Sequence, residues 1–268
     1  MPEGPECRRI AESVAKFCSN KTLSGIEIMS GRYIKGLPSG LELAQQSFPL
    51  GVVGVGVHGK FIYWILRDEY SIWNTLGMSG SWRTELTDHA RVKFVFSNGD
   101  HLYFTDQRNF GTLKFVKGKH QLIEKLKSLG PDMLAEDVSD ELFISRLRKK
   151  NKHNVCKVLM DQSIIAGVGN YLKSDSLWLA RLNPHRLIEN ISDNELCKLN
   201  NSIKQVIRES YKAGGATIKT YQNINGEIGQ YSSRFLVYNR KTDPDGNKII
   251  REMTPDGRKT HWSPEIQK

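Results

Sequence analysis

The first six residues, MPEGPE, combine a proline at position 2 with carboxylates at Glu3 and Glu6. If the initiator Met1 is removed, Pro2 presents a free secondary amine. Amines at chain ends are less basic than lysine side chains, so a larger share is unprotonated near neutral pH and can act as a nucleophile. Attack on a sugar C1′ would form an iminium, and Glu3 is the nearest group for the proton transfers that this chemistry needs.

The same residues also make an ordinary helix start. Proline suits the first helical position, and an acidic side chain such as Glu6 favours the N-terminal end of the helix dipole. For a hexapeptide taken alone, this structural interpretation is the more frequent one. The choice between a helix start and an active site therefore depends on the rest of the chain.

Size and charge restrict the possible functions. A chain of 268 residues favours two domains, and a hydrophobic content of 38% is enough for packed cores. The formal net charge of +10 favours a nucleic-acid partner, although a solvated cationic surface is the alternative. We find no apolar run of 18 residues and no signal peptide. We therefore expect an intracellular protein, nuclear if the host is eukaryotic, that is neither membrane-bound nor secreted.

The spacing of the cysteines indicates whether the chain could bind a metal and whether its cellular compartment is oxidising or reducing. The four cysteines are scattered along the chain and form no C-x-x-C pair. This pattern supports neither a zinc site nor a disulfide framework, and it suits a reducing compartment. We expect no metal and no cofactor.

The pattern along the chain predicts an α+β fold. A helical stretch begins at Pro5, and short apolar runs separated by turn residues follow from Leu23 to about Phe115, which is typical of a sandwich or barrel. The tetrapeptide SNGD between two of these runs predicts a hairpin. After Gly130 and Pro131 the pattern becomes helical, and the tail predicts a second hairpin around Asp256 and Gly257.

Three further stretches could bind nucleic acid. In GVGN, Gly169 and Asn170 would offer amides to a phosphate at a helix start, although an ordinary packing joint is equally possible. In DQRNFG, Arg108 and Phe110 could wedge a base stack from one strand face, or belong to a mixed surface strand. In the tail, Arg258 follows the turn and could enter a groove, or be a solvated arginine.

Taken together, MPEGPE, HGK, LGMSGSWR, DQRNFG, QSIIAGVGN and the tail from VYNR to PEIQ occur in the order found in one family. Over essentially its whole length the chain resembles the formamidopyrimidine-DNA glycosylase/endonuclease VIII family. The resemblance implies an N-terminal β-sandwich with a flanking helix (1–130), a helix–two-turn–helix domain with a lesion-capping loop (131–233), and a finger hairpin (234–268). It implies a monomer whose partner is damaged DNA.

The resemblance also assigns roles at the reacting end of the chain. In such enzymes Pro2 would attack C1′ of a damaged nucleotide, Glu3 would transfer protons, and Glu6 would support the site. The resulting Schiff base would undergo β- and δ-elimination. Lys60 of HGK would hold a phosphate beside the lesion, and so would Asn170.

A second set of implied roles concerns DNA binding. Gly169 would belong to the phosphate site of the GVGN turn, and Arg258 would be the phosphate-binding arginine of the finger. The damaged nucleotide must leave the base stack, because its C1′ is otherwise inaccessible to the amine. The gap would be filled by Met78, Arg108 and Phe110.

The finger departs from the pattern of many family members, which hold it with four cysteines around zinc. Residues 234–268 contain no cysteine, so we predict a zincless finger. Its hairpin would be held by strand pairing and by apolar contacts of Ile249, Ile250 and Trp262.

Two residues that differ from the pattern of other family members, together with one loop, bear on substrate preference. Asp175 stands where the family usually has glutamate, which puts its reach in doubt, and Asn109 replaces a common arginine, which predicts a less selective opposite-base pocket. The stretch 214–231 resembles the loop of members that excise 8-oxoguanine. The predicted zincless finger resembles that of a subgroup of the family, and this resemblance implies ring-opened purines, hydantoins and oxidised pyrimidines as substrates. We favour this second set of substrates. A non-catalytic DNA-binding protein on this fold is another alternative, and a ribosomal or topoisomerase-like protein would explain only residues 162–177.

Overall fold

The computed structural model describes residues 2–217, 224, 226 and 228–268. The chain divides into two compact units. The first is built mainly on Glu6–Ser128, with which Gly214–Gly229 is grouped, and the second contains Glu3–Pro5, Leu129–Ala213 and Gln230–Lys268. The three domain boundaries given above stay a prediction.

Helix α1 (Gly4–Cys18) belongs to the first unit from Glu6 onward. Its buried apolar residues recur with the helical period, so that one face packs into the core. They are Cys7, Ile10, Ala11, Val14 and Cys18. The helix begins one residue before the predicted Pro5, within the usual uncertainty of helix ends.

Eight antiparallel strands follow, in the sheet order β5-β7-β6-β1-β2-β3-β4-β8. Their bounds are β1 Thr22–Ile28, β2 Leu50–His58, β3 Phe61–Leu66, β4 Tyr70–Thr75, β5 Gly80–Arg83, β6 Ala90–Phe96, β7 His101–Asp106 and β8 Thr112–Lys117. Three short helices accompany them, α2 (Arg32–Lys35), α3 (Leu41–Gln45) and α4 (Lys119–Lys127). The SNGD hairpin between β6 and β7 is confirmed, and Gly99 of its turn has φ 86°.

The sheet folds over on itself to form a sandwich. Strands β1 and β2 share only two register pairs, at Thr22 and Leu23. The ring centroids of Trp64 on β3 and Trp82 on β5 lie 5.3 Å apart. Five strand steps would separate these rings by about 24 Å in a flat sheet. The two halves therefore face each other, and the predicted β-sandwich is confirmed.

Among its described residues the second unit contains four α-helices, α5 (Asp140–Arg148), α6 (Val155–Met160), α7 (Asn170–Leu179) and α8 (Asp193–Lys212), and two short 3-10 helices at Ile188–Asn190 and Tyr231–Arg234. Helix α8 starts with a capping box in which Ser192 and Glu195 exchange hydrogen bonds. Helix α7 is buried from Tyr171 to Leu177. The glycine turn that precedes α7 lies between two helices, which confirms the predicted helix–two-turn–helix arrangement.

The chain ends in a two-stranded hairpin, β9 (Ile250–Thr254) and β10 (Arg258–Trp262). Gly257 in the turn has φ 73°, a conformation that favours glycine. The hairpin predicted around Asp256 and Gly257 is thus confirmed. Within the described part of the chain, no helix has both the length and the apolar character needed to cross a membrane.

The aromatic core generates a stability prediction. Trp82 is fully buried against Trp64, Phe94 and Phe104, and its indole N–H donates to Asn74 Oδ1 at 3.0 Å. We expect Trp82→Ala to lower the free energy of unfolding by about 3–5 kcal/mol, because a large cavity opens where the two halves meet. Urea denaturation measures this change. Leu86→Ala, at a side chain that is 61% exposed, is the control, and an equal loss in both variants would contradict the prediction.

Candidate active site

Glu3 lies buried against the start of α7. Its carboxylate accepts hydrogen bonds from the backbone N–H of Tyr171 (2.9 Å) and of Leu172 (3.2 Å). The first N–H groups of a helix have no partner within the helix, and the helix dipole favours a negative charge there. A Cβ at Gly169 would lie 2.2 Å from Glu3 Cδ, so only glycine leaves room for this carboxylate.

This arrangement changes the interpretation of the GVGN turn. The sequence suggested that amides at this helix start face a phosphate, whereas the amides of Tyr171 and Leu172 donate to Glu3. The side-chain amide of Asn170 donates to the Lys259 carbonyl at 3.0 Å. The phosphate contacts of Gly169 and Asn170 stay a prediction.

Glu6 is a second buried carboxylate. It accepts a hydrogen bond from the Ala216 backbone N–H at 2.6 Å, and it packs against Gly215. Glu6 thereby fixes the start of the predicted lesion-capping loop. Residues 218–223, 225 and 227 of that stretch lie outside the described residues, and so does Met1, whose removal the proline chemistry requires.

Asp175 is a further buried carboxylate. It accepts hydrogen bonds from the backbone N–H groups of Leu236, Val237 and Tyr238 at 3.0–3.1 Å. Its reach, which the sequence put in doubt, is sufficient for three contacts. Burial raises the pKa of this carboxyl to about 6, although the three amides act in the opposite direction.

Arg108 and Phe110 lie in the loop between β7 and β8, so the prediction that they share a strand face is wrong. Strand β7 ends at Asp106, and Asn109 has φ 56°, which breaks the extended backbone. The Arg108 guanidinium lies 4.9 Å from the centroid of the Phe110 ring, so the cation and the aromatic ring still form a pair. Phe110 is 53% exposed.

Asp106 connects this loop to the one that carries Met78. One carboxylate oxygen accepts from the Gly111 backbone N–H at 2.6 Å, and the other accepts from the Ser79 hydroxyl at 2.5 Å. The backbone N–H of Arg108 donates to Ser79 Oγ at 2.9 Å. Alternation in the sequence does not reveal this bridge, although the aspartate is the first residue of the DQRNFG motif.

Gly77 brings the two loops together. It has φ 58°, and a Cβ there would lie 2.7 Å from the Phe110 backbone. Met78 follows it directly and is 37% exposed. The structure thus places Met78, Arg108 and Phe110 on adjoining loops of the first unit, whereas Lys60 lies in the turn between β2 and β3.

Arg258 begins β10, directly after the finger turn as predicted. Within the described residues, no group of three or more His, Cys, Asp or Glu could hold a metal ion. The one histidine of the finger, His261, packs its ring 4.7 Å from that of Tyr238. Both carboxylate oxygens of Asp243 are engaged by Trp178 and Asn247. These residues do not fit a zinc site.

The sequence matches two family descriptions. Residues 1–113 match the formamidopyrimidine-DNA glycosylase N-terminal domain, and residues 129–222 match the formamidopyrimidine-DNA glycosylase H2TH domain. The formamidopyrimidine-DNA glycosylase of Oceanobacillus iheyensis is 32% identical, over 100% of this chain and 98% of that protein.

Solved structures agree with this match. The MutM (Fpg) protein of Thermus thermophilus has a TM-score of 0.88 at 29% identity, over 99% of this chain and 98% of that one. A Lactococcus lactis FPG mutant, solved with Fapy-dG containing DNA, has a TM-score of 0.87 at 26% identity, over 100% of both chains. The β-sandwich, the helix–two-turn–helix unit and the finger hairpin thus place the chain in the same structural class as these DNA glycosylases. The chain belongs to the formamidopyrimidine-DNA glycosylase family.

Asp175 generates a pH-dependent prediction. Its pKa of about 6 in the folded protein exceeds the usual unfolded value of about 3.9, so the folded state binds the proton more tightly between these values. Wild-type protein should therefore lose about 1 kcal/mol of stability relative to Asp175→Asn between about pH 5 and 7.5.

Urea denaturation of both proteins at the two pH values measures this difference. Asp245→Asn, at an exposed aspartate of the finger, is the control and should show no relative change. A stability difference between wild type and Asp175→Asn that stays constant across the two pH values would contradict the assignment.

Proposed function

We propose that the protein is a bifunctional DNA glycosylase and abasic-site lyase of base excision repair, which uses Pro2 as its nucleophile. The observation that carries the proposal is the Glu3 carboxylate, which is adjacent to Pro2 in sequence, buried, and held by two amides of α7. Binding of DNA alone requires no such group, which argues against a non-catalytic protein on this fold. The net charge of +10 suits a polyanionic substrate.

In the first step, the lone pair of the Pro2 nitrogen forms a bond to C1′ of the damaged nucleotide. The bond between C1′ and the base breaks, and the base departs with its electron pair. Glu3 accepts the proton that the amine loses and supplies a proton to the departing base. The amides of Tyr171 and Leu172 hold the carboxylate in place for both transfers.

The covalent intermediate then acts as an electron sink. Ring opening gives an iminium, which acidifies the C2′ proton, and loss of that proton expels the 3′ phosphate. A second elimination expels the 5′ phosphate, so the gap carries a phosphate at each end. Water hydrolyses the remaining iminium and releases the free amine of Pro2.

Attack on C1′ requires that the damaged nucleotide leave the base stack. Met78, Arg108 and Phe110 would fill the gap, and their two loops are joined by Asp106. Lys60, Gly169, Asn170 and Arg258 would hold the phosphates, and Glu6 would support the site. The protein would act as a monomer without a metal or cofactor.

The substrates are proposed to be oxidised bases, with ring-opened purines first. The relatives are named for formamidopyrimidine, and one solved relative holds Fapy-dG containing DNA. We further propose hydantoins and oxidised pyrimidines as substrates, with weaker activity on 8-oxoguanine. The alternative is a preference for 8-oxoguanine.

The nucleophile is tested by Pro2→Gly. We expect most base excision to be lost, since glycine replaces the secondary amine with a primary one, and retention of Met1 should have the same effect. The measurement is single-turnover excision from a duplex that carries a ring-opened purine. DNA affinity should be unchanged, which separates lost chemistry from lost folding. Excision at the wild-type rate by both proteins would refute the assignment.

Substrate preference is tested by comparing single-turnover rates on matched duplexes. The lesions are a ring-opened guanine, guanidinohydantoin, thymine glycol and 8-oxoguanine. We expect the first three to be excised faster than 8-oxoguanine. Clear dominance of 8-oxoguanine would favour the alternative without affecting the assignment of Pro2.

A further inference from the structure

Lys173 and Asp256 form a buried ion pair in the second unit. Lys173 Nζ lies 2.6 Å from Asp256 Oδ2, and the two side chains are 0% and 2% exposed. Fully buried lysines are rare, and a buried charge is costly unless it is paired. Neither residue has a role in the proposed chemistry, so the pair requires another explanation.

Both oxygens of the Asp256 carboxylate are engaged. Oδ2 forms the ion pair with Lys173, and Oδ1 accepts a hydrogen bond from the Thr254 hydroxyl at 2.5 Å. Thr254 Oγ1 in turn lies 2.6 Å from Thr260 Oγ1, which joins the two strands of the finger hairpin. All four side chains are buried. The turn of the hairpin is thus held by a polar cluster rather than by apolar contacts alone.

Contacts with α7 anchor the backbone on both sides of Arg258. Two residues before Arg258, Asp256 is fixed to Lys173 of α7. One residue after it, the Lys259 carbonyl accepts from the Asn170 side chain at 3.0 Å. Because Asn170 and Lys173 lie in the first turn of α7, the backbone on both sides of Arg258 is anchored to the same helical turn.

We propose that the Lys173–Asp256 pair positions Arg258 for its phosphate contact. The pair touches no substrate in this scheme and acts only through Arg258, so it is a positioning device. The inference rests on the proposed function in taking DNA as the ligand and Arg258 as a phosphate contact. It assigns the alignment of the finger to an ion pair formed between α7 and the hairpin turn.

The test uses the full chain and a duplex with a tetrahydrofuran abasic analogue, which cannot be cleaved. Affinity is measured between about 50 and 200 mM salt, and the slope of log K against log salt is determined. The variants are Arg258→Ala, the double variant Lys173→Met with Asp256→Leu, and the triple combination. Lys204→Met, which breaks an ion pair with the exposed Asp137, is the matched control.

Replacing both charges with apolar side chains avoids an unpaired buried charge, so the double variant should fold. We expect Arg258→Ala to lower the salt slope by about one. The double variant should lower it by a similar amount, and the triple variant should lower it no further. Lys204→Met should keep the wild-type slope.

A double variant that melts like wild type and keeps the wild-type slope, with Arg258→Ala still costing its full share, would overturn the proposal. If the double variant does not fold, Lys173→Met with Asp256→Asn replaces it, because it leaves no unpaired charge and retains the volume and an acceptor oxygen for Thr254. A reduced slope in this variant supports the proposal, and a wild-type slope overturns it. Borohydride trapping of the wild-type protein on an abasic duplex is scored separately, so failure of the proposed chemistry is distinguishable from failure of the positioning.

Discussion

The contact between the Glu3 carboxylate and the amides of Tyr171 and Leu172 fixes the beginning of the chain against a helix that starts at residue 170. The Gly4 backbone N–H adds a hydrogen bond to the Gly167 carbonyl at 2.9 Å. Chain termini are usually mobile. If the N-terminal nitrogen is the nucleophile, its neighbours must be held in this way. The requirement for glycine at position 169 follows from the same contact.

Two further buried carboxylates repeat this use of backbone amides. Glu6 accepts from Ala216, and Asp175 accepts from three consecutive residues, 236–238. Each acid joins segments that are distant in sequence. A buried carboxylate is tolerated when donors satisfy its oxygens, and backbone amides supply them without a partner side chain. The acids near Pro2 are therefore part of the architecture as well as candidates for chemistry.

Local features could be predicted from the sequence. The strands, the SNGD hairpin and the turn at Gly257 follow from alternation and turn chemistry within a few residues. The DQRNFG segment was wrongly predicted as a strand, because alternation does not reveal that Asp106 folds the loop back through Gly111 and Ser79. The Lys173–Asp256 pair could not be predicted, because its partners lie 83 residues apart and no local sequence pattern connects them. The closure of the sandwich between Trp64 and Trp82 is likewise a long-range contact.

The proposed chemistry requires that the nitrogen of Pro2 become bonded to deoxyribose. The most direct measurement is borohydride reduction of the reaction on a duplex with an oxidised base, followed by proteolysis and mass spectrometry of the crosslinked peptide. The expected crosslinked peptide lacks Met1 and carries the sugar remnant on Pro2. Attachment to a lysine side chain, with Pro2 unmodified, would rule out Pro2 as the nucleophile.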